Sequence, residues 1–471
     1  MAPVTLRSAT GRWVVFTATL GSAIALLDGT IVNVALRPIG LDLGATLPEL
    51  QWVVNAYMLA LASLILLGGS LGDRLGRRRV FLVGVAWFAV ASLACGVAQS
   101  TQELILARGF QGIGGALLTP GSLALIQSTI AEEDRPRAIG VWSAWSGVAG
   151  VVGPLLGGGL IEVLSWRWIF LVNLPVAAVV IAVGLLRVPE SGGVPRSARG
   201  GFDVGGAALG VLGLGGVTFA LIQGGWLAAA IGAAGLAAFL LVEARGDHPM
   251  LPLRVFADRT FSAVNTMTFV VYGALGALMF FLVLQLQVVA GYSPLEAGAA
   301  TIPFTVLMLL FSPRVGTLMN RTGPRLLMTA GPAVAALGVL LLVRVPADAS
   351  YLTEVLPGVF LFGAGLTLMV TPLTATVLAA VPATQVGLAS GVNNAIARAA
   401  SLLAVAAAPA AVGLAGDDYE APEVFSAGYT QAMWWCAGLL LTGAVIAALF
   451  VPGRGERTGA APRSEPGTFT V

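Results

Sequence analysis

Strongly apolar runs of about 20 residues, divided by short polar connections, fill the chain from residue 13 to residue 451. As a helix, each run can cross the roughly 30 Å hydrocarbon layer of a bilayer. The pattern predicts fourteen spans, at 13–36, 52–70, 80–98, 104–128, 138–161, 168–187, 203–222, 226–243, 261–289, 297–317, 325–343, 352–379, 388–413 and 431–451. Gly and Pro recur inside them, as membrane helices tolerate. The middle pair, 203–222 and 226–243, is the least marked. If only one of the two crossed, the basic connections after residue 300 would turn to the other side, so both cross or neither does. Both are long enough. The expected fold class is all-α integral membrane.

Polar segments at 189–201 and 245–259 bracket that pair and read as linkers. The expected organisation is a six-helix bundle at 13–187, two additional spans with linkers at 188–260, a second six-helix bundle at 261–451 and a tail at 452–471. After the tenth span, Gly316-Thr-Leu-Met-Asn-Arg-Thr-Gly-Pro-Arg325 echoes Gly69-Ser-Leu-Gly-Asp-Arg-Leu-Gly-Arg-Arg-Arg79, which follows the second. Such duplication is typical of transporters with a midplane site between repeats.

Of the 471 residues, 57% are apolar and only 10% charged. A soluble domain carries about 25% charged residues, so water is not the main solvent here. The net charge of +2 matters less than its placement. With the N-terminus inside, 20 of the 25 basic residues, all Arg, fall in cytoplasmic segments, four of them in the connection after the second span. This bias places both termini in the cytoplasm. The absence of Lys and the heavy use of Ala and Gly suggest a GC-rich bacterial genome, and hence the bacterial inner (plasma) membrane. Cys95 and Cys436 lie in apolar runs, which excludes a disulfide framework. The first apolar run continues through Asp28 to Leu36 with no small-residue cleavage site, so it reads as a retained span rather than a signal peptide.

Asp28 is the one carboxylate deep inside an apolar run. A charge at mid-span costs about 2.5–3.5 kcal/mol even on insertion scales. A carboxyl in apolar surroundings is driven toward its neutral form and can exchange a proton as water access changes. Asp28 is therefore the candidate proton-coupling acid, against the plainer role of hydrogen-bonding a neighbouring helix. Arg108 enters the fourth span in Leu104-Ile-Leu-Ala-Arg-Gly-Phe-Gln-Gly-Ile-Gly-Gly115 and is the candidate partner whose field tunes Asp28; its alternative is to snorkel to the interface. Gly69, Asp73, Arg74, Gly76, Arg77 and Arg78 form a candidate cytoplasmic gate, in which a carboxylate at a helix end latches neighbouring helices. In the fifth span, Gly153, Pro154, Gly157 and Gly158 offer small faces for tight packing and a proline bend. Candidate cavity residues are Asn33, Gln111, Trp142, Trp145, Gln285, Gln287, Asn393, Asn394 and Arg398, polar or aromatic groups at membrane depth. Gln285, Gln287, Asn393, Asn394 and Arg398 are as well suited to tying helices together, and Trp142 and Trp145 at least as well suited to anchoring at the interface.

Other motifs lead nowhere. Gly68-Gly-Ser-Leu-Gly72 fits a nucleophile pattern but ends a membrane helix with no His partner at comparable depth. His248 alone builds no metal site, and no Walker phosphate loop is present. A membrane-bound transferase would want a His, Asp or metal-ligand cluster at the membrane face, so an enzyme is not expected, nor a cofactor other than the proton as coupling ion. Nothing suggests nucleic acid as a partner.

With these residues in place, the chain resembles the major facilitator superfamily, and within it the fourteen-span drug:proton antiporters related to QacA and EmrB. The resemblance covers residues 13–451. It rests on Leu27-Asp-Gly-Thr-Ile-Val-Asn-Val-Ala-Leu36, the Asp73 loop, the Arg108 segment, the Gly-Pro-x-x-Gly-Gly order at 153–158 associated with antiporters, and Ser165-Trp-Arg-Trp-Ile-Phe-Leu-Val-Asn-Leu-Pro175. It implies two six-helix bundles plus two central helices, with Asp28 as coupling acid and Asp73 in the gate. The implied activity is proton-coupled export of a lipophilic drug, dye or antibiotic by alternating access, from a chain expected to act as a monomer. The second-half loop departs from the pattern, with Asn320 in place of the acid, and no span after residue 260 holds an interior carboxylate. A dicationic substrate is thereby disfavoured, and a neutral or singly charged one fits better. The rival readings are a proton-coupled importer of a small metabolite and a non-transporting receptor with a transporter fold.

Overall fold

A computed structural model describes residues 4–190, 203–246, 249–382 and 385–453. Among them, fourteen helices are long and apolar enough to cross a membrane. We number these α1 (Ala9–Leu43), α2 (Leu47–Leu75), α3 (Arg77–Val97), α4 (Thr101–Thr129), α5 (Arg135–Val163), α6 (Trp168–Arg187), α7 (Val204–Gln223), α8 (Trp226–Arg245), α9 (Arg259–Val288), α10 (Pro294–Thr322), α11 (Pro324–Leu341), α12 (Tyr351–Ala379), α13 (Val386–Ala411) and α14 (Pro422–Phe450). The expected linker at 189–201 (from residue 191 on), His248 and the tail from 454 lie outside the described residues.

Several helices run well past their apolar segments, because polar caps extend them beyond the hydrocarbon. Ser8 Oγ accepts the Gly11 N–H at 3.0 Å at the start of α1. Glu49 accepts the Thr46 N–H at 2.9 Å at the start of α2. The largest difference is at α14, expected from 431 but begun at Pro422 with Glu423 in its first turn. Pro is pre-set for a first helical position and an acid there suits the helix dipole. Glu423 and Val424, expected in a loop, are therefore helical.

Helices α1–α6 pack into one unit and α9–α14 into a second. The two units meet along three seams, α2 on α13, α5 on α10, and α1 on α9. Helices α7 and α8 form a hairpin in which α7 lies against both α2 and α13, with Phe219 6.2 Å from Trp52 between ring centres. The additional pair thus backs a seam between the units.

An even number of spans brings the start of α1 and the end of α14 to the same face, which also carries Arg74, Arg77, Arg78, Arg79 and Arg137. At the opposite face the units are tied by side chains that donate to backbone carbonyls. Gln51 Nε2 donates to Val405 O (2.7 Å) and Ala406 O (3.0 Å). Gln287 Nε2 donates to Val34 O (2.9 Å), and Arg37 returns a bond to Gln287 O. Tyr419 OH donates to Ala45 O (2.8 Å), and burial pushes that phenol up to about 12, so it stays a donor at physiological pH. Buried carbonyls without a partner are costly, so these bonds hold the two units together at this face.

Candidate functional site

Asp28 and Arg108, 80 residues apart in sequence, form an ion pair of 2.5 Å, each with about 1% of its surface exposed. Helices α1 and α4 bring them together, and Gln111, one turn beyond Arg108, completes the contact. Its amide donates to Asp28 Oδ1 at 2.8 Å and to Ser92 Oγ at 2.8 Å, while its oxygen accepts from Arg108 Nη1 at 2.5 Å. Arg108 Nε donates to Val53 O at 3.1 Å. Its guanidinium stands 4.5 Å over the Tyr57 ring and 5.7 Å from that of Phe170. Asn173 Nδ2 donates to Ser92 Oγ at 3.3 Å, extending the network from α4 through α3 to α6. Arg108 therefore does not snorkel. Both Asp28 oxygens, Arg108 Nε and Nη1 and the Gln111 amide have partners, the condition under which a buried pair is tolerable. Removing one partner from such a pair costs about 3–5 kcal/mol.

The loop after α2 is closed locally. Arg77 pairs with Asp73 at 2.8 Å, one turn away and largely exposed, and donates to Ala124 O of α4 at 3.3 Å. Arg78 donates to Val188 O at 2.7 Å, and its N–H to Glu190 at 3.1 Å. All these partners belong to the first unit or its exit, in contrast to the opposite face, where the bonds cross between units. Gly76 has φ +107°, a conformation that side chains rarely adopt. The tight approach nearby falls at Gly68, where a Cβ would stand 2.1 Å from Ala116 O, whereas at Gly69 and Gly72 nothing comes closer than 3.7 Å.

In α5, Gly153, Gly157 and Gly158 mark where three helices converge. A Cβ would stand 2.4 Å from Thr30 Oγ1 at Gly153, 2.8 Å from Ile31 Cγ2 at Gly157, and 2.4 Å from Leu295 Cα at Gly158. Pro154 sits against Gly298, where an added Cβ would meet Pro154 O at 2.5 Å. The first two contacts are to α1, the others to α10 in the second unit, so this stretch forms a backbone-close seam between the units.

An apolar cavity of about 850 Å³ runs between α1 and α5, from Arg7, Arg12, Asp134 and Arg137 at the arginine-rich face to Leu27 and Val152 at depth. Leu27 precedes Asp28, whose side chain turns into α4. Trp145 lines the cavity, whereas Trp142 ties α5 to α1 by donating to Ser22 Oγ at 2.9 Å. A second, polar cavity of about 190 Å³ in the other unit is lined by Asn393, Asn394 and Arg398, with Tyr272, Thr374 and Ser390. Asn33 is half-buried in α1. Gln111 belongs to the buried network. Gln285 donates to Val345 O at 2.9 Å and Gln287 to Val34 O, so both tie helices rather than line either cavity.

The family model of the Major Facilitator Superfamily matches residues 18–404, with a further match over 264–470. This chain belongs to that superfamily. Among curated relatives, the multidrug resistance protein Stp of Mycobacterium tuberculosis is 38% identical over 80% of this chain and 71% of its own length. The puromycin resistance protein pur8 of Streptomyces alboniger is 36% identical over 92% of this chain and 90% of its own. The tetracenomycin C resistance and export protein of Streptomyces glaucescens is 34% identical over 80% of this chain and 71% of its own. The fold is shared with the POT family transporter PepTSo, at TM-score 0.70, 14% identity and coverage of 93% and 97%. It is shared likewise with a bacterial homologue of the lysosomal transporter Spinster, at TM-score 0.66, 18% identity and coverage of 94% and 97%. The chain is accordingly a multi-pass membrane protein of a transporter superfamily.

Ser92, Asn173 and Tyr57 are the network members that the sequence did not single out. Asn173 lies inside the segment 165–175 on which the resemblance rests, and an Asn at the start of an apolar run was the available clue. Ser92 carried none, since a lone Ser in a membrane helix commonly bonds its own backbone.

Proposed function

We propose that this chain exports a lipophilic small molecule from the cytoplasm in exchange for protons, by alternating access of its two units. The single observation that carries the reading is the Asp28–Arg108–Gln111 network, a fully buried ionisable cluster beside an apolar cavity that opens toward the arginine-rich face. Taking that face as cytoplasmic follows from its arginines. The ties at the opposite face and the locally closed Asp73 loop then describe a state open to the cytoplasm, ready to load substrate.

In this reading Asp28 is the coupling acid and Arg108 its tuning partner. Protonation of Asp28 from outside removes the charge that holds Arg108, and the loosened pair lets α1 shift against α4. Proton loss to the cytoplasm restores the pair and the loading state. Each 100 mV of proton-motive force supplies about 2.3 kcal/mol per charge, enough for roughly a 50-fold gradient of a neutral substrate exchanged for one proton. The apolar cavity, with few fixed polar contacts, accommodates several lipophilic scaffolds, since strict selection needs such contacts. The proton is the only coupling ion invoked, and the chain acts as a monomer. The Asp73 loop is the cytoplasmic gate, and the Gly153–Gly158 seam is the pivot against α10.

Relatives named for resistance and export support the outward direction. The test is energised transport in inverted membrane vesicles. Accumulation of a lipophilic dye or antibiotic that collapses with a protonophore is expected. Energised loss of compound from those vesicles would instead establish import, and binding without energised movement would establish the receptor reading.

A further inference from the structure

We propose that Arg398 and the polar cavity around it form a subsite for an anionic group, a carboxylate or phenolate, carried on the lipophilic substrate. The inference rests on the export reading and names the substrate's chemistry within it.

Arg398 is thirteenth of the 26 residues of α13, at the middle of a span, where a guanidinium is costly and is kept where it has work to do. Among the described residues it joins no ion pair, whereas Arg108, the other arginine deep in the spans, is paired with Asp28. The Asp28–Arg108 pair is neutral as a whole, so Arg398 leaves one uncompensated positive charge. That charge faces a cavity of about 190 Å³, large enough for a carboxylate or a phenol oxygen with its ring edge.

The remaining polar atoms around the cavity frame the guanidinium rather than neutralise it. Asn393 Nδ2 is spent on Asn265 Oδ1 (3.1 Å) and Thr268 Oγ1 (2.9 Å), and Asn394 Nδ2 on Ser390 O (3.0 Å). Among the described residues, no carboxylate lines the cavity. The site therefore offers an unengaged fork of N–H donors and would repel a cation.

Its position also links the units. α13 packs on α2, with Leu66 3.0 Å from where a Cβ on Gly391 would stand, and α2 contributes Tyr57, whose ring carries Arg108. An anion held at Arg398 would sit across the α2–α13 seam from the Asp28 network.

The test is equilibrium binding to the full-length protein in nanodiscs, with no proton gradient, using three probes that share one pyrene body: pyrenebutyrate, pyrenebutanol and a pyrenebutyl trimethylammonium. Wild type is expected to hold the carboxylate roughly 10- to 100-fold more tightly than the alcohol, the worth of a hydrogen bond to a charged group. The ammonium should bind weakest. Arg398→Gln should bring the carboxylate down to the alcohol's affinity, and Arg398→Lys should restore part of the preference in a variant that keeps the charge. Equal binding of carboxylate and alcohol by wild type would overturn the proposal. So would a preference that survives Arg398→Gln, or tighter binding of the ammonium. Because no gradient is present, these outcomes leave the direction and coupling of transport to the vesicle experiment.

Discussion

The two six-span units are built alike but use membrane-depth polarity differently. In the first, a charged pair is sealed by Gln111, Ser92, Tyr57 and a backbone carbonyl, with essentially no exposure. In the second, the comparable polar contacts are neutral, Asn393 to Asn265 and Thr268, and Gln285 to Val345 O and Ser426. Among the described residues, the ionised group facing them is Arg398, which lines an open cavity instead of a closed network. A sealed charged network changes its packing when a proton arrives. A neutral amide cluster does not. In the proposed reading, proton chemistry falls to the first unit, and substrate is held by its α1–α5 cavity together with the Arg398 cavity of the second.

The comparison can be broken by mutation, and the expected effects are graded. Arg108→Ala leaves a buried carboxylate alone and should cost about 3–5 kcal/mol in denaturant unfolding of the purified protein. Asp28→Asn combined with Arg108→Gln should recover much of that stability without recovering transport, since both charges are gone. A middling effect is expected at Gly158→Val, where the new side chain meets Leu295 backbone across the α5–α10 seam. Overpacking there should cost about 1–3 kcal/mol and slow substrate efflux. In the second unit, Asn393→Ala removes only neutral hydrogen bonds and should cost about 1 kcal/mol, with proton coupling intact. If Asn393→Ala matched Arg108→Ala in the same unfolding assay, the distinction between the units would collapse. The smallest change is expected at Gly72→Ala, whose Cβ meets nothing within 4 Å and which should behave as wild type within about 0.5 kcal/mol.

The spans, and Asp28 and Arg108 as separate membrane-depth charges, were legible because hydropathy and the rarity of such charges are strong one-dimensional signals; that the two meet was not. Fourteen runs gave fourteen helices, and Asp28 with Arg108 stood out against apolar neighbours. Less legible was what a polar residue does at depth. Gln111, Gln285 and Gln287 look alike in sequence, yet one seals a charged pair, one braces α9 against Val345, and one reaches across to α1. Only the partner distinguishes them, and partners lie up to about 250 positions away. The glycines of the loop after α2 carry a similar lesson. Gly76 is required by its backbone angle and Gly68 by Ala116, while Gly72 is not required by contact. Helix ends were misjudged for a third reason, since capping and a leading proline carry α1, α2 and α14 into water after hydropathy has faded.

The most direct test of the central claim is proton release from inverted vesicles with a pre-formed acid interior, on addition of a transported lipophilic compound, for wild type and Asp28→Asn. The account predicts substrate-dependent release by wild type and none by the variant, with the variant still inserted in the membrane at normal levels. Equal release by both would place the coupling outside the Asp28–Arg108 network and contradict the account.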